Sequence, residues 1–360
     1  MRKYFLDNLR WMVIIIVVLY HVLIIYNDIG VQYVINATGN VLATVFILSF
    51  SMWFMQLLFA VAGISTFYSL KRRNSKQYLN ERVKKIFIPM VAGIIFVIPF
   101  QTYFSFLYNG QNISFLNFWF NFLTNWWYYF VNGLGIGPLW FLLYLFIISL
   151  AALPVIMKYK KSEWRIPIEK ITVPYLLLLI IPLAIGSIFL NLSPEKSVVQ
   201  FFLLFIFGYF LLSDDGIQQK LEDARWPLFI AFLLLIAVLI ILYLSNLLSS
   251  KTMLSTMIPV YLLYTTSIAW IGILAVMGMG KRYLEFKTPA TLYLSGASYP
   301  IYIFHIAWIT MAEYLFLTLF PNMIILQVIL VFTVGFTLTL ATYEITRRIK
   351  ITRFLFGIKD

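Results

Sequence analysis

The first apolar run of the chain, YFLDNLRWMVIIIVVLYHVLIIYND (residues 4–28), is long enough to cross a membrane, yet it carries Asp7, Arg10, His21 and Asp28. At 100° per residue, Arg10 and His21, eleven positions apart, point within about 20° of one another. Asp7 precedes Arg10 by three places and Asp28 follows His21 by seven, so both fall near the same stripe, with Ile14, Val17 and Ile24 between. One helix face therefore presents a carboxylate and a guanidinium at one end and an imidazole about 16 Å deeper. An ionisable ring near mid-bilayer is costly unless it meets a partner, water or the bundle interior, which marks His21 as a candidate for proton transfer or ligand binding. The ordinary alternative for His21 is a hydrogen bond to a neighbouring helix. For Arg10 it is the arginine common at helix ends, and for Asp28 an exposed loop carboxylate.

The only other histidine, His305, lies in LSGASYPIYIFHIAW. Ser298, Tyr302 and His305 are spaced by four and then three, which places them on one face of a helix. Pro300 removes a backbone donor there and is expected to kink the helix. A polar seam holding two helices together is the competing explanation. Two histidines do not make a zinc site by themselves, and no paired ligands at helical spacing accompany them, so no metal is expected. No Gly-rich phosphate loop is present.

The elements that must position these residues follow from composition. Of 360 residues, 62% are hydrophobic and only 11% are charged, and the mean hydropathy is +0.90. A soluble domain cannot hide that much apolar surface. Alternating ten-residue segments of a membrane barrel are absent. The fold class is an all-α integral membrane protein. The absence of cysteine excludes disulfides, thiolate metal sites and a cysteine nucleophile. The amino-terminal run lacks a small-residue cleavage site close behind it and reads as an uncleaved first helix.

Ten apolar spans can be drawn, at 11–27, 43–66, 86–106, 138–157, 173–190, 199–213, 228–247, 256–278, 291–312 and 322–344. With the amino terminus inside, all but two of the 27 Lys and Arg residues fall on the inner side, the exceptions being Lys196 and Lys251. That asymmetry matches the positive-inside rule and predicts both termini in the cytoplasm. It also accounts for the net charge of +13 without a nucleic-acid partner. The expected organisation is one ten-helix membrane domain over 1–344 and a short basic tail over 345–360.

One segment assigned to the outer side, YNGQNISFLNFWFNFLTNWWYYFVNG (residues 108–133), has no charge and is dense in aromatic residues and Asn. It reads as an amphipathic helix lying in the headgroup layer, or as a platform on which a sugar ring stacks.

At this point the residues resemble a known family. LDNLRWMVIIIVVLYHV is similar to the opening signature of the membrane acyltransferase-3 family, Asp-x-Leu-Arg followed by ten residues and His, here Asp7, Leu9, Arg10 and His21. LLFAVAGISTFYSLKRRNSKQYLNERVKKIFIPM resembles the second helix, the basic loop and the proline of that family, with Arg82 and Pro89 in the matching places. GPLWFLLYLF, SGASYPIYIFH and YEITRRI resemble its later signatures in the same order. FVIPFQTYF followed by GPLWFLLY looks most like the branch that includes glucan-modifying succinyltransferases.

The resemblance implies an integral-membrane O-acyltransferase of the cell membrane. It would take an acyl group, most often acetyl, from cytoplasmic acyl-CoA and deliver it to a hydroxyl of an envelope or exported glycan or a lipid-linked sugar. Acyl-CoA is then a substrate, and no permanently bound cofactor is expected. Such a transfer needs a base, donors for the tetrahedral oxyanion and two aligned substrates. The expected base is His21. Arg10, with Arg82 and Lys84, is expected to hold the coenzyme A phosphates, and the Ile14–Val17 face to carry its arm. Trp140, Ser298, Tyr299, Tyr302 and His305 are the expected acceptor or oxyanion groups. A polytopic exporter of a polar precursor is the alternative, since intramembrane charges also mark transport paths.

Overall fold

The computed structural model describes residues 3–30, 35–191, 196–247 and 258–358. Among the described residues the secondary structure is helical, apart from one isolated antiparallel bridge between Asn191 and Ser197.

Among the described residues each expected apolar span is mainly helical, but not all are long; residues 256–257 of the eighth lie outside the described residues. Among the described residues eight stretches are long and apolar enough to cross a membrane: Tyr4–Ile24, Val41–Leu70, Ser75–Tyr108, Gly137–Lys161, Arg225–Leu244, Pro259–Tyr283, Pro289–Leu319 and Ile324–Thr346. The sixth expected span forms Val198–Leu212, which bends by 96° into Asp215–Asp223. The fifth breaks into two short helices, Val173–Leu178 and Ile180–Gly186. The protein is a multi-pass helical membrane protein.

We number the helices α1 (Tyr4–Ile24), α2 (Val41–Ser51), α3 (Phe54–Leu70), α4 (Ser75–Arg82), α5 (Ile88–Phe96), α6 (Ile98–Tyr108), α7 (Phe115–Thr124), α8 (Trp126–Val131), α9 (Trp140–Lys161), α10 (Val173–Leu178), α11 (Ile180–Gly186), α12 (Val198–Phe207), α13 (Asp215–Asp223), α14 (Arg225–Leu244), α15 (Ile258–Tyr283), α16 (Pro289–Leu319), α17 (Ile324–Thr346) and α18 (Lys350–Leu355). A π-helical turn, Val83–Phe87, joins α4 to α5.

The chain divides into two compact units, neither contiguous in sequence. The first comprises 1–10, 48–80 and 144–288. Within it α3 lies against α12 and the π-helical turn Gly208–Leu212 that continues it, so closely that a Cβ on Gly63 would overlap the Phe205 carbonyl, and one on Gly208 would overlap that of Ala60. In a bilayer, lipid is as apolar as leucine, so helices gain contact chiefly by approaching closely over small residues. The start of α1 is also tied here. Glu285 accepts hydrogen bonds from the backbone N–H groups of Tyr4 and Phe5 at 2.9 and 3.3 Å, satisfying donors that the first turn leaves open.

The second unit comprises 11–47, 81–143 and 289–360. Its long element is α16, of 31 residues, which starts with Pro289 at its first position and continues through Pro300 without interruption. It packs on α17, where a Cβ on Gly335 would sit 3.1 Å from the Ile309 side chain. Trp308 Nε1 donates to Thr342 Oγ1 at 2.8 Å, and Tyr293 donates to Glu344 at 2.7 Å. The end of α1 is capped by Asn27, whose amide donates to Ile24 O at 2.7 Å. Asp28 accepts from Thr44 Oγ1 at 2.7 Å, so it holds a loop to the start of α2 rather than extending the polar stripe of α1. The basic carboxy-terminal segment does not trail away from this unit. Phe356 is buried and its ring lies 4.6 Å from that of Phe304.

Candidate functional site

The second unit brings the two histidines together. His305 Nε2 lies 3.3 Å from His21 Nδ1, and the ring centroids are 4.9 Å apart at 64°. Each ring is also tied to its own helix. His21 Nδ1 is 2.8 Å from Val17 O, one turn back on α1. His305 Nδ1 is 2.8 Å from Tyr302 O and 3.2 Å from Ile301 O on α16. His305 is fully buried whereas His21 is half-buried, so His21 is the more accessible of the two rings. Among the described residues no group of three His, Cys, Asp or Glu side chains is placed to hold a metal ion.

Tyr302, one turn before His305, donates its hydroxyl proton to the carbonyl of Pro138. That carbonyl lies in the short 3-10 turn Gly137–Leu139, which leads directly into α9 at Trp140. Gly137 has φ +47°, a left-handed conformation that glycine adopts without steric cost, and a Cβ there would sit 2.8 Å from Gln101 Oε1. The GPLW turn is thus pinned to α16 by a tyrosine on the same helix as His305, and Trp140 follows half-buried.

The expected acceptor groups fare unequally. Ser298 donates to Ser295 O at 3.0 Å, so both its hydroxyl and that of Tyr302 are engaged by backbone carbonyls. The buried Tyr299 hydroxyl has no hydrogen-bond partner. Arg82 is half-buried at the end of α4, and Lys84 is exposed on the π-helical turn.

Arg10 belongs to the first unit and is clamped there. Its Nη1 donates to Asp7 Oδ1 at 2.7 Å and its Nη2 donates to Ser65 Oγ on α3. Ser65 in turn donates to Val61 O at 2.6 Å. The expected lane for the donor's arm is corrected by packing: Ile14 and Val17 are 6% and 1% exposed and lie against protein. Helical periodicity identified their stripe but could not say that it is filled.

Sequence reasoning missed three groups. Ser65 could not be paired with Arg10 across 55 positions. Gln101 is buried with its Oε1 lacking a partner. Glu313 is fully buried on α16, and neither carboxyl oxygen has a hydrogen-bond partner. The ninth span expected from the sequence ends at residue 312, one position short of it. A span carried to the true helix end, Leu319, would have exposed an intramembrane acid at once.

The fold is that of a polytopic helical membrane protein in which a half-buried and a buried imidazole meet between two helices. The family model described as an acyltransferase domain matches residues 3–344. The chain belongs to the acyltransferase-3 family and is a membrane acyltransferase. No curated protein and no solved structure matches it.

Proposed function

We propose that this acyltransferase moves an acyl group, acetyl in the first instance, from acyl-CoA on the cytoplasmic side to a hydroxyl of an envelope or exported glycan, with His21 as general base. The observation that carries the reading is the meeting of a half-buried His21 with a buried His305 in a chain of this family. In the transfer, the His21 lone pair takes the acceptor hydroxyl's proton as its oxygen attacks the thioester carbonyl. The C–S bond then breaks, and the proton passes to the departing thiolate, giving ester and free thiol. A general base of this kind contributes typically 10²–10⁴-fold in rate.

Arg10 supplies a guanidinium already oriented by Asp7 and Ser65, suited to a phosphate of the donor. Arg82 and Lys84 are cations of the second unit with the same chemistry to offer. Trp140 and Tyr299 remain the candidates for acceptor contacts, since the hydroxyls of Ser298 and Tyr302 already serve backbone carbonyls. The positive-inside count supports cytoplasmic termini in a cell membrane.

The test is to purify the full chain in nanodiscs and follow radiolabelled acetyl-CoA and succinyl-CoA with a pool of envelope glycans. Ester formation that disappears in His21→Ala is the expected result. Uptake of a polar precursor into vesicles with no thioester consumed would replace the reading with that of an exporter.

A further inference from the structure

Carbonyl oxygens only accept hydrogen bonds. The ring nitrogens that face them must therefore carry the protons. His305 Nδ1 faces Tyr302 O at 2.8 Å and Ile301 O at 3.2 Å, which places the hydrogen of neutral His305 on Nδ1 and the lone pair on Nε2. That lone pair is aimed at His21 Nδ1, 3.3 Å away. His21 Nδ1 itself faces Val17 O at 2.8 Å, so it too is an N–H, shared between a carbonyl and a neighbouring imidazole. The chain of contacts is directional: carbonyl, N–H of His305, lone pair of His305, N–H of His21.

We infer that His21 is held as the Nδ1–H tautomer with its lone pair on Nε2, and that His305 is the positioning residue that braces the Nδ1 proton. The inference rests on the general-base reading of His21 and names the atom that does the work. When Nε2 takes the acceptor hydroxyl's proton, His21 becomes an imidazolium, and its Nδ1–H then needs acceptors more than before. Val17 O and His305 Nε2 are both in place before the reaction begins, so no reorganisation is required at that moment. The part that a carboxylate plays behind the histidine of a serine hydrolase is filled here by a carbonyl and a second, neutral ring. His305 can play it only while it stays neutral, with Nε2 facing the His21 N–H as an acceptor.

The chain holds only two histidines, which makes the test direct. Labelling histidine with ¹⁵N in the full chain, in nanodiscs, yields four ring resonances, and the single-histidine variants His21→Gln and His305→Gln assign them. The expected spectrum shows both rings with a protonated Nδ1 and a bare Nε2. A His21 ring protonated at Nε2 overturns the inference. Turnover of acetyl-CoA provides the second arm. His305→Leu should lower kcat about 10- to 100-fold with KM for acetyl-CoA unchanged. His305→Gln, whose Oε1 can stand where the Nε2 lone pair stands, should recover most of that loss. Equal losses in the Leu and Gln variants, at equal thermal stability, overturn the bracing role. Full turnover in His21→Ala would instead remove the base itself, an outcome that leaves the tautomer spectrum readable on its own.

Discussion

His305 Nε2 approaches His21 Nδ1 to 3.3 Å although 284 positions separate the two residues in the chain. Each ring reaches the other while anchored to carbonyls of its own helix, His21 to Val17 and His305 to Tyr302 and Ile301. Two rings fixed in this way have little freedom to turn, which is what a base aimed at one hydroxyl requires.

Replacing His21 by Ala should lower acyl transfer by at least about 100-fold, the lower end of what a positioned base contributes. Circular dichroism and a melting temperature close to wild type would show that the loss is chemical. His21 is only half-buried, so the cavity left by the truncation is small.

The clamp on Arg10 predicts a different signature. Ser65→Ala and Asp7→Ala each remove one partner of the guanidinium and should raise KM for acyl-CoA about 10-fold with little change in kcat. Arg10→Lys should not restore the donor affinity, because an ammonium cannot bridge Asp7 and Ser65 with a planar fork. Steady-state kinetics on acetyl-CoA separates these outcomes.

The crossing of α3 and α12 should be the most intolerant packing contact in the first unit. Gly63→Ala and Gly208→Ala each place a methyl group into a backbone carbonyl of the facing helix, which should destabilise by about 1–3 kcal/mol. The two substitutions act on one contact, so the double variant should lose less than the combined effect of the single ones. Thermal unfolding in detergent measures both.

Glu313 invites the opposite experiment. A fully buried carboxyl with neither oxygen hydrogen-bonded is costly to keep in the ionised form. Glu313→Gln should leave the melting temperature unchanged or raise it. If turnover falls in a variant that melts higher, the acid is retained for function at the expense of stability. Unchanged turnover would make it a packing residue.

The exposed apolar residues of α7 and α8 supply a last measurement. Leu116, Phe120, Trp127 and Tyr128 are 64%, 61%, 67% and 65% exposed, while Phe118, Phe122 and Tyr129 turn inward. Trp119 and Trp126 donate to the carbonyls of Ile95 and Gly135 at 2.8 and 2.9 Å, which leaves Trp127 as the exposed indole of the segment. Trp127 fluorescence, isolated by comparison with Trp127→Phe, should be quenched by lipids brominated near the headgroup and spared by those brominated at the chain ends.

Much of this protein could be read along the chain. The apolar runs announced helices of membrane length because a bilayer leaves the backbone no other partner than itself. The eleven-residue spacing put Arg10 and His21 on one face, and the family resemblance covered the same stretch that the family model matches. Boundaries were less legible. The ninth span, read as 291–312, stops one residue short of Glu313, whereas the helix runs on to Leu319. The break of the fifth span at Leu179 is not given by apolarity, which cannot distinguish one helix from two; its signal is Pro182, which lacks the N–H that would bond the carbonyl of Leu178.

Periodicity gives a residue's direction around its own helix axis, and that much was settled for His21 and for His305 separately. It contains no term for the rotation of one helix against another. The pairing of the two rings, the filling of the Ile14–Val17 stripe and the capture of Arg10 by Ser65 all depend on that rotation. They are decided by close packing between elements distant in sequence, where a shift of one residue would turn each side chain by about 100° and dissolve the site.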